Sequence, residues 1–534
     1  MSIHPWAYPM MKHPLFPLPA SLAVALALAA PLQLPAQPAP VPATAARPAG
    51  PLNDEVASAR MSPPTSQAIV DAAAAAKTPA APGPYEPTWD SLKANYHLPE
   101  WLTDAKFGIF IHWGLYSIPA HHNEWYEKHM YGPDAAWHVA HYGPLDQFGY
   151  KDFIPLFTVP KFDPDDWAAL FKQAGARIVL PTAEHHDWFS LWDSAVTPWN
   201  SARMGPKRDL IGELARAVRA QGMKFGVTNH SMEHYTFIDP VPAGTKTDLN
   251  DPAYADFYWV DHSDARLQKF FELWVAKNEE LIDKYQPDVL WFDNGVNPRV
   301  LDPLKLKVAA YYYNRALQWG KGVAISTKFH AFLAGGITDH ERTMRAPVSL
   351  QDTPWLVHDT IGSTWGYTEG MRIGSPGSFI RTLVDVVSKN GIFLLNVSPK
   401  GDGSIPDDQR RVLLAIGGWL QANGEAIYGT HVWTRAGEGQ MQIARNQAAT
   451  GRDMRFTTKG DTLYAILLGW PGDKAVITSL VPGSVAGAVE KVDLLGSPGT
   501  LAFSQGADGL TVQLPAEKPN DYAWVLRITG LKLH

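Results

Sequence analysis

Hydrophobic and polar positions follow two different patterns along this chain. Between about residues 90 and 430, short apolar runs alternate with longer segments in which apolar residues recur every three or four positions. The short runs predict buried strands, and the longer segments predict amphipathic helices. Repeated strand–helix units predict a parallel sheet, and this many of them favour an α/β fold of the (β/α)8-like, TIM-type barrel class.

The individual elements of this region can be placed from the pattern. The predicted strands are residues 106–114, 177–182, 223–229, 287–293, 322–327 and 392–399. The predicted helices are residues 163–176, 209–222, 264–285, 304–320, 378–391 and 407–424. Asp163 followed by Pro164 is typical of a helix start, and Gly222 is typical of a helix end.

The pattern changes after about residue 435. Short alternating strands separated by Gly, Asp and Pro follow, within residues 454–470, 474–480, 489–495, 510–515 and 522–530. This arrangement is typical of a β-sandwich. We therefore predict a catalytic barrel over residues 86–432 and a C-terminal β-sandwich without catalytic groups over residues 433–534.

The N-terminal segment resembles an export signal. Residues 21–30 form an apolar run that is too short to span a bilayer and follows a weakly basic start. We predict a signal peptide over residues 1–38, with translation starting at Met1, Met10 or Met11, and an Ala/Pro-rich disordered linker over residues 39–85. The protein is then expected in the periplasm or outside the cell, without stable membrane insertion; an uncleaved anchor is the alternative.

Composition excludes several functional classes. The chain has 534 residues, 46% of them hydrophobic, which is ample for a large core and a second domain. Its net charge is -7 and it has no block of Lys or Arg, which argues against a nucleic-acid partner. It has no cysteine, which excludes disulfides and thiolate metal sites.

Polar residues follow several of the predicted barrel strands. They are His112, residues 184–187, residues 229–230 and Asp293. Because active sites of such barrels lie at the C-terminal ends of the strands, these residues are expected to converge. Asp293 alone would more often be a cap or turn residue, but within such a group it becomes a candidate nucleophile or base.

The histidines at these strand ends allow two interpretations. A metal site would use ligands from His112, His185, His186, His230 and Asp187. Adjacent histidines on an extended chain point to opposite sides, however, and no HExxH spacing occurs. The other interpretation is a pocket for sugar hydroxyls, with apolar walls from Trp113, Trp125 and Trp291. The residues alone favour the sugar pocket without excluding the metal.

Several sequence blocks, which follow one another in a characteristic order along the chain, resemble those of a known family. They include "KFGIFIHWGLYSIPA", "EHHDWFSLWDS", "PDVLWFDNG", "TIGSTWGY" and "LVDVVSKNGIFLLNVSPKGDGSIP". Together these blocks resemble the α-L-fucosidases of glycoside hydrolase family 29, from about residue 88 to 430. The resemblance implies a (β/α)8-like catalytic domain, a C-terminal β-sandwich, no cofactor, and retaining hydrolysis of terminal α-L-fucose from a fucosylated oligosaccharide or glycoconjugate. It does not decide whether the protein forms an oligomer.

The resemblance also implies residue roles. Asp293 matches the family's nucleophile. The matching fucose-binding residues are His112, Glu124, Trp125, His185, His186 and the strand-end Trp291. The acid/base of the family lies on a variable loop after the nucleophile, where Glu341 fits best and Asp339 is second; a solvated loop charge is the alternative. Because a nearby cation lowers a carboxyl pKa, Arg342 is expected to point away from Glu341.

The chain departs from the family pattern at a few positions. Thr228 and Asn229, which we include among the substrate-binding candidates, stand where Tyr residues are usual. Lys328 stands where the family usually has Arg, and Trp188 replaces the Gly of the family motif "HHDGF". These departures put the leaving-group preference in doubt. The alternatives are a non-catalytic fucose-binding relative or a glycosidase for a related sugar, with a metal-dependent hydrolase ranked third.

Overall fold

The computed structural model describes residues 63–79, 81–239, 241, 244–328, 330–441 and 448–533. The predicted signal peptide over residues 1–38 lies outside the described residues, as does the first part of the predicted linker. Within the described part of the chain, no helix combines the length and the apolar character that a membrane crossing requires.

Eight parallel strands close a barrel in chain order, with the last strand pairing to the first. They are β1 (Phe107–Ile111), β2 (Ile178–Glu184), β3 (Lys224–Asn229), β4 (Val289–Phe292), β5 (Ala324–Lys328), β6 (Ile337–Asp339), β7 (Trp355–Thr360) and β8 (Gly391–Val397). The strands are almost entirely buried because one face meets the barrel interior and the other meets helices. The predicted (β/α)8-like barrel is confirmed.

Helices connect and flank these strands. They are α1 (Gln67–Ala74), α2 (Trp89–Asn95), α3 (Glu100–Ala105), α4 (Tyr126–Met130), α5 (Ala135–Tyr142), α6 (Pro164–Gln173), α7 (Leu210–Ala220), α8 (Ala255–Tyr258), α9 (Asp264–Tyr285), α10 (Asp302–Gln318), α11 (Pro376–Ser388) and α12 (Asp407–Asn423). The predicted start of α6 is confirmed, since the Asp163 side chain accepts hydrogen bonds from the backbone N–H groups of Asp165 and Asp166.

Apolar side chains fill the lower part of the barrel. Phe110, Leu180, Trp291 and Leu394 belong to one buried cluster, and Leu102 of α3 joins it. The strands approach closely there, because a Cβ on Gly108 would lie 2.7 Å from the Leu394 side chain and 2.8 Å from a carbonyl oxygen of β2. Polar chemistry is therefore confined to the C-terminal ends of the strands.

Strands β6 and β7 were not predicted from the sequence. Strand β6 has only three residues and follows Gly335–Gly336, and β7 ends in the polar run His358–Thr360. Neither presents the continuous apolar run that identified the other strands. Strand β6 matters for function because it ends at Asp339, which places Glu341 two residues beyond the end of a barrel strand.

The linker prediction is wrong for α1, which lies inside residues 39–85. Val70 and Ala73 of this helix are fully buried, and Lys307 of α10 donates hydrogen bonds to the carbonyl oxygens of Ala74 at 2.7 Å and Ala76 at 2.5 Å. Alanine-rich composition suggested disorder, but alanine is also the strongest helix former. The i, i+3 pair of small apolar residues provides the contact face.

The C-terminal region forms two antiparallel sheets around a common apolar core. The strands are β9 (Gly437–Glu438), β10 (Met454–Lys459), β11 (Thr462–Leu467), β12 (Lys474–Ile477), β13 (Ala486–Leu494), β14 (Phe503–Gly506), β15 (Gly509–Gln513) and β16 (Trp524–Lys532). Their orders are β13-β16-β11-β10-β9 and β12-β15-β14. Phe456 and Leu526 of the first sheet and Ile477 and Val512 of the second share one buried cluster. The predicted C-terminal β-sandwich fold is confirmed.

Candidate active site

Asp293 follows β4 directly and is held by residues from both neighbouring strands. Its Oδ2 accepts a hydrogen bond from Nδ1 of His230, which follows β3, at 2.8 Å. Its Oδ1 lies 2.6 Å from Nζ of Lys328, the last residue of β5, and accepts a hydrogen bond from the Asn294 N–H at 2.7 Å. Asp293 is only 7% exposed, so these contacts fix the carboxylate rigidly at the barrel mouth.

The surroundings of Asp293 stabilise its charged form. Burial alone would raise the pKa of Asp293, but the Lys328 ammonium and the His230 hydrogen bond outweigh it and hold that pKa well below its ordinary value. Burial likewise opposes the charge of Lys328, yet Asp293 and Glu341 raise the pKa of Lys328 above its usual range. The site therefore contains an ionised carboxylate at neutral pH, as a nucleophile requires.

Four histidine rings form one wall beside this carboxylate. The ring centroids of His185 lie 5.6 Å from His112, 4.3 Å from His186 and 4.8 Å from His230. Burial lowers the pKa of His112 and His185 well below the ordinary value, and it lowers the pKa of His186 to about 3. These rings are therefore neutral near pH 7. Nδ1 of His112 donates to Asn396 Oδ1 at 2.8 Å and Nδ1 of His186 donates to the His230 carbonyl oxygen at 3.1 Å, so each of these two rings offers Nε2 as an acceptor to a hydroxyl group.

His185 and His186 are adjacent in the chain, and both rings belong to this wall. Strand β2 ends at Glu184, and the chain then turns, so the alternation of side chains along an extended strand no longer applies to His185 and His186. His185 packs against His112, whereas Nε2 of His186 lies 3.9 Å from Oδ2 of Asp293. Among the described residues, no group of close ligand atoms contains both His185 and His186, which agrees with the expectation that at most one of them would face a common ion.

The histidine wall also has the donor spacing of a metal site. Ligand atoms of His112, His185 and His230 lie within 4.8 Å of one another, and so do those of His186, His230 and Asp293. Both nitrogens of His230 already have partners, because Nδ1 bonds Asp293 and Nε2 lies 3.0 Å from Thr228 Oγ1. An ion there would also face the Lys328 ammonium. The arrangement therefore favours the sugar pocket, and a chelator distinguishes the two.

Glu124 and Trp125 reach the site from the segment that follows β1. The Glu124 carboxylate accepts hydrogen bonds from the backbone N–H groups of Trp365 and Gly366 at 3.2 Å, and burial raises the pKa of Glu124. Trp125 is partly exposed and presents its edge to His186, with ring centroids 6.0 Å apart. Trp125 therefore lies beside the histidine wall, and Glu124 lies against Trp365, whose ring stacks on His112; their role in substrate binding stays a prediction.

Trp365 is a site residue to which the sequence analysis gave no role. Its ring stacks on His112 with centroids 5.3 Å apart and lies 4.7 Å from the ring of His358. The quoted block "TIGSTWGY" contained it, and its place after β7 was the signal that was available. It extends the aromatic surface from the histidine wall toward the loop after β7.

Glu341 contacts the same Lys328 ammonium as Asp293. Its Oε2 is 3.4 Å from Lys328 Nζ and 3.5 Å from Nη1 of Arg345. Burial raises the pKa of Glu341, but Lys328 outweighs it and the net shift is downward. Arg342 points away as expected, since its guanidinium lies over the Trp365 ring at 4.5 Å. Lys328 thus connects the two candidate catalytic carboxylates.

Asp339, the second candidate for the acid/base, cannot reach a substrate. It is fully buried, and its Oδ2 accepts hydrogen bonds from Nε1 of Trp291 at 2.6 Å and from Nδ1 of His358 at 2.8 Å. Trp291 is also fully buried, in the barrel core beneath His230. Both residues support the site from below, so their prediction as residues that contact the substrate is corrected.

Trp113, which was predicted as an apolar wall of the pocket, does not line it. Its ring packs against Trp167 at 5.0 Å and Phe162 at 5.1 Å, and its Nε1 donates to the carbonyl oxygen of Lys400. These contacts belong to the layer between the barrel and α6. Of the tryptophans predicted as pocket walls, Trp125 is the one beside the histidines.

Thr228 and Asn229 do not face the pocket either. Thr228 is fully buried, with its Oγ1 3.2 Å from Thr182 Oγ1 and 3.0 Å from His230 Nε2. Asn229 points toward α9, where its Nδ2 donates to Asn278 Oδ1 at 3.3 Å. The residue of this strand end that reaches Asp293 is His230, which the sequence analysis noted but did not include among the substrate-binding residues.

Trp188 occupies a backbone conformation that explains why glycine is expected there. Its φ is +56°, and the residue is 1% exposed. The ring stacks on Phe270 of α9 with centroids 4.6 Å apart, and the ammonium of Lys277 lies over it. The departure from glycine therefore changes packing behind the site and leaves the pocket surface unchanged.

Comparison with known proteins agrees with this geometry. The family model described as Alpha-L-fucosidase matches residues 72–425, and the one described as Alpha-L-fucosidase C-terminal domain matches residues 446–529. The chain is 33% identical to rat tissue alpha-L-fucosidase over 474 residues, covering 84% of this chain and 93% of the relative. It is 31% identical to the human tissue enzyme over 478 residues, with the same coverage.

A solved structure adds the fold to this sequence relationship. The structure of Thermotoga maritima alpha-fucosidase in complex with fucose is 34% identical, with a TM-score of 0.66, and the match covers 83% of this chain and all of the other. The barrel, the C-terminal sheets and the sequence relationship agree. The chain therefore belongs to the α-L-fucosidase family.

Proposed function

We propose that this α-L-fucosidase is an exo-acting, retaining enzyme that releases terminal α-L-fucose from glycans by double displacement. In this proposal Asp293 is the nucleophile and Glu341 is the acid/base. The observation that carries it is the ionised Asp293 carboxylate at the end of β4, held by His230 and Lys328, with a second carboxylate beyond the same ammonium.

The spacing of the two carboxylates supports retention over inversion. Lys328 Nζ lies 2.6 Å from Asp293 Oδ1 and 3.4 Å from Glu341 Oε2. The two oxygens are therefore separated by no more than about 6 Å, whereas retaining pairs lie about 5–5.5 Å apart and inverting pairs about 6.5–9.5 Å. An inverting pair would need the wider separation to place a water molecule between its base and the sugar.

The first step forms a bond between Asp293 and the anomeric carbon. As that bond forms, the bond to the leaving oxygen breaks, and Glu341 gives this oxygen its proton. In the second step Glu341 takes a proton from water, and the oxygen of that water replaces Asp293 on the anomeric carbon. Two inversions at the same carbon give net retention.

The charge of Asp293 affects the pKa of Glu341, because both carboxylates contact Lys328. While Asp293 is charged, it raises the pKa of Glu341 and partly offsets the opposite effect of Lys328. When Asp293 becomes an ester it loses its charge, and the full effect of Lys328 then lowers the pKa of Glu341. The pKa of Glu341 is therefore lower in the second step than in the first, which favours the base form that the second step requires.

Substrate recognition is proposed to use the neutral histidines and Glu124. His112 and His186 offer Nε2 as an acceptor to the hydroxyl groups of fucose, His185 offers a donor or an acceptor, and Glu124 adds a carboxylate. Trp125 lies against Phe237 with ring centroids 5.7 Å apart, which offers an apolar surface for the C5 methyl group.

The alternatives can be weighed against the same contacts. A non-catalytic fucose-binding relative would not need an ionised carboxylate at Asp293, so the electrostatics disfavour it. A glycosidase for a related sugar gains no support from Thr228, Asn229 or Trp188, because none of these residues faces the pocket. Lys328 and His230 contact the nucleophile itself, so we expect them to affect rate.

The experiment that tests the proposal follows an aryl α-L-fucoside by NMR. We expect hydrolysis in which α-L-fucose is the first sugar product, before mutarotation. Initial release of the β-anomer would contradict retention. Faster hydrolysis of an aryl β-D-galactoside than of the fucoside would favour a related sugar, and hydrolysis of neither would favour the non-catalytic binding protein.

We also propose export through the N-terminal signal, which rests on the short apolar run at residues 21–30. The test is expression of the full chain in a bacterial host, followed by fractionation and N-terminal sequencing. We expect a periplasmic or extracellular product that begins near residue 39. A product in the cytoplasm that keeps residues 1–38 would contradict this part of the proposal.

A further inference from the structure

Three histidines and an aspartate converge outside the pocket described above. They are His121 and His122, which precede Glu124, His129 of α4, and Asp134 in the turn between α4 and α5. The side chains of His121 and His122 are 30% and 43% exposed, and those of His129 and Asp134 are 13% and 15% exposed. The cluster is therefore open to solvent on one side and supported by protein on the other.

The donor atoms of this cluster surround one carboxylate oxygen. Asp134 Oδ2 lies 2.8 Å from His122 Nδ1, 3.9 Å from His129 Nδ1 and 3.8 Å from His121 Nε2. A tetrahedral ion with bonds of about 2.0–2.2 Å requires ligand atoms roughly 3.3–3.6 Å apart. The ligand atoms of His122, His129 and Asp134 lie within 4.8 Å of one another, so small side-chain movements would bring these three to that spacing.

One nitrogen of the cluster lacks a hydrogen bond that its burial calls for. His129 Nδ1 is buried and has no hydrogen-bond partner among the described residues. A buried polar atom without a partner is costly, and a metal ion beside Asp134 would supply one. The unpartnered Nδ1 supports a bound ion independently of the proximity of the four side chains.

The surrounding structure fixes the direction of each donor. The Asp134 N–H donates to the His129 carbonyl oxygen at 2.9 Å, which closes the turn between α4 and α5. His121 stacks on Trp137 with centroids 3.7 Å apart and planes inclined by 6°. Lys128 pairs with Asp239 at 3.0 Å, so this neighbouring cation has its own partner. His122 has a left-handed φ of +62°, which a non-glycine residue adopts only where its surroundings hold it.

We propose that His122, His129 and Asp134 form a binding site for a divalent transition-metal ion, with Zn²⁺ as the ion of best fit and His121 beside it. Imidazole nitrogen with one carboxylate oxygen is a ligand set that suits zinc and disfavours Ca²⁺ and Mg²⁺, which require oxygen ligands. The site takes no part in the hydrolytic steps, because its residues are different from those around Asp293.

Its position gives the ion a structural effect on the pocket. His122 lies two residues before Glu124, and the N–H of His129 donates to the carbonyl oxygen of Trp125 at 3.1 Å. An ion that connects His122 to His129 would therefore stiffen the segment that carries Glu124 and Trp125. Binding to the folded state alone also stabilises that state by mass action.

The test is calorimetric titration of the tag-free, EDTA-treated full chain with ZnCl₂, together with thermal unfolding. We expect one strong site and a higher unfolding midpoint with Zn²⁺, and neither effect with MgCl₂. His122→Ala and Asp134→Asn should each weaken binding by at least about tenfold, since even indirect partners of metal ligands contribute that much. Absence of a strong zinc site in the wild-type protein would overturn the proposal.

Two control variants separate this site from other histidines. His141→Ala removes an imidazole that stacks on Trp137 but is absent from the group of donors around Asp134, and it should bind zinc as the wild type does. His112→Asn changes the histidine wall of the pocket and should also retain zinc binding. Loss of binding in His112→Asn with retention in His122→Ala would assign the ion to the pocket and overturn the proposal. Equal unfolding midpoints of His122→Ala and wild type without metal would confirm that the variant folds.

Discussion

Lys328 Nζ lies 2.6 Å from Oδ1 of Asp293, and both side chains are more than nine-tenths buried. This ion pair explains why the apolar strand β4 can be followed by a buried carboxylate. An unpaired charge there would be costly, whereas a paired one with further hydrogen bonds is tolerated. The pair also keeps Asp293 ionised, which connects the stability of the barrel mouth to its proposed chemistry.

Replacing Lys328 should therefore damage both activity and stability. Lys328→Met leaves Asp293 buried without its cation, and breaking such a pair costs about 3–5 kcal/mol of unfolding free energy. The pKa of Asp293 should rise, so the acid limb of the kcat/KM profile should move to higher pH. Denaturant unfolding and a pH–rate profile measure the two effects, and Lys328→Arg, which keeps the charge, is the control. An unchanged acid limb in Lys328→Met would contradict the role of this ion pair.

Glu341→Ala should show a strong dependence on the leaving group. An activated aryl fucoside barely needs protonation, whereas a sugar leaving group needs it, so the oligosaccharide should lose about 10²–10⁴-fold in rate and the aryl fucoside much less. The alkaline limb of the pH profile should also disappear. Kinetics on both substrates measure this difference.

Asp339→Asn is the matched control for Glu341→Ala. Because Asp339 accepts hydrogen bonds from buried Trp291 and His358, this variant should lower the unfolding midpoint without any leaving-group dependence. If Asp339→Asn shows the leaving-group pattern and Glu341→Ala behaves as wild type, the roles are reversed. If neither variant shows it, the proton comes from another residue.

His186 should make the protein less stable as the pH falls. Burial lowers the pKa of His186 to about 3, against about 6.5 in the unfolded chain. Its contribution to stability is complete above pH 6.5 and is lost progressively as the pH falls toward 3, because the unfolded state then binds the proton. The unfolding free energy should therefore drop more between pH 7 and pH 4 in the wild type than in His186→Asn. Parallel pH dependences of the two proteins would contradict the buried, neutral state of His186.

Chelation should leave hydrolysis unchanged. The account uses His112, His185 and His186 as partners of hydroxyl groups, which needs no ion. Dialysis against EDTA followed by an assay on an aryl fucoside measures this, with mock dialysis as the control. Loss of activity that returned with Zn²⁺, in His122→Ala as well as in the wild type, would favour the metal interpretation of the histidine wall.

The sequence predicted the elements that carry continuous apolar runs and the general place of the site. Strand β4 and the position of Asp293 at its end follow directly from four apolar residues before a carboxylate. Strand β6 could not be predicted in this way, because its short run is completed by pairing with β5 rather than by its own sequence. Its absence from the prediction made Glu341 look like a residue of a free loop.

The direction of individual side chains was the part that the sequence could not supply. Glu184 stands at a strand end like Asp293, but its carboxylate pairs with the fully buried Lys277 of α9 and accepts a hydrogen bond from Ser190 at 2.9 Å. Thr228, Asn229 and His230 are consecutive, and of their side chains only that of His230 bonds the Asp293 carboxylate. Strand register and the turn after each strand decide these directions, and both depend on contacts with distant segments.

The most direct test of the central claim is azide rescue of Asp293→Gly. Without the carboxylate, the variant should lose hydrolysis of an aryl α-L-fucoside, and azide should enter the vacated space and restore turnover. Because azide would attack once, from the face that Asp293 occupied, the account predicts β-L-fucosyl azide as the product. Hydrolysis at the wild-type rate by the purified variant, or rescue that yields only the α-azide, would contradict Asp293 as the nucleophile.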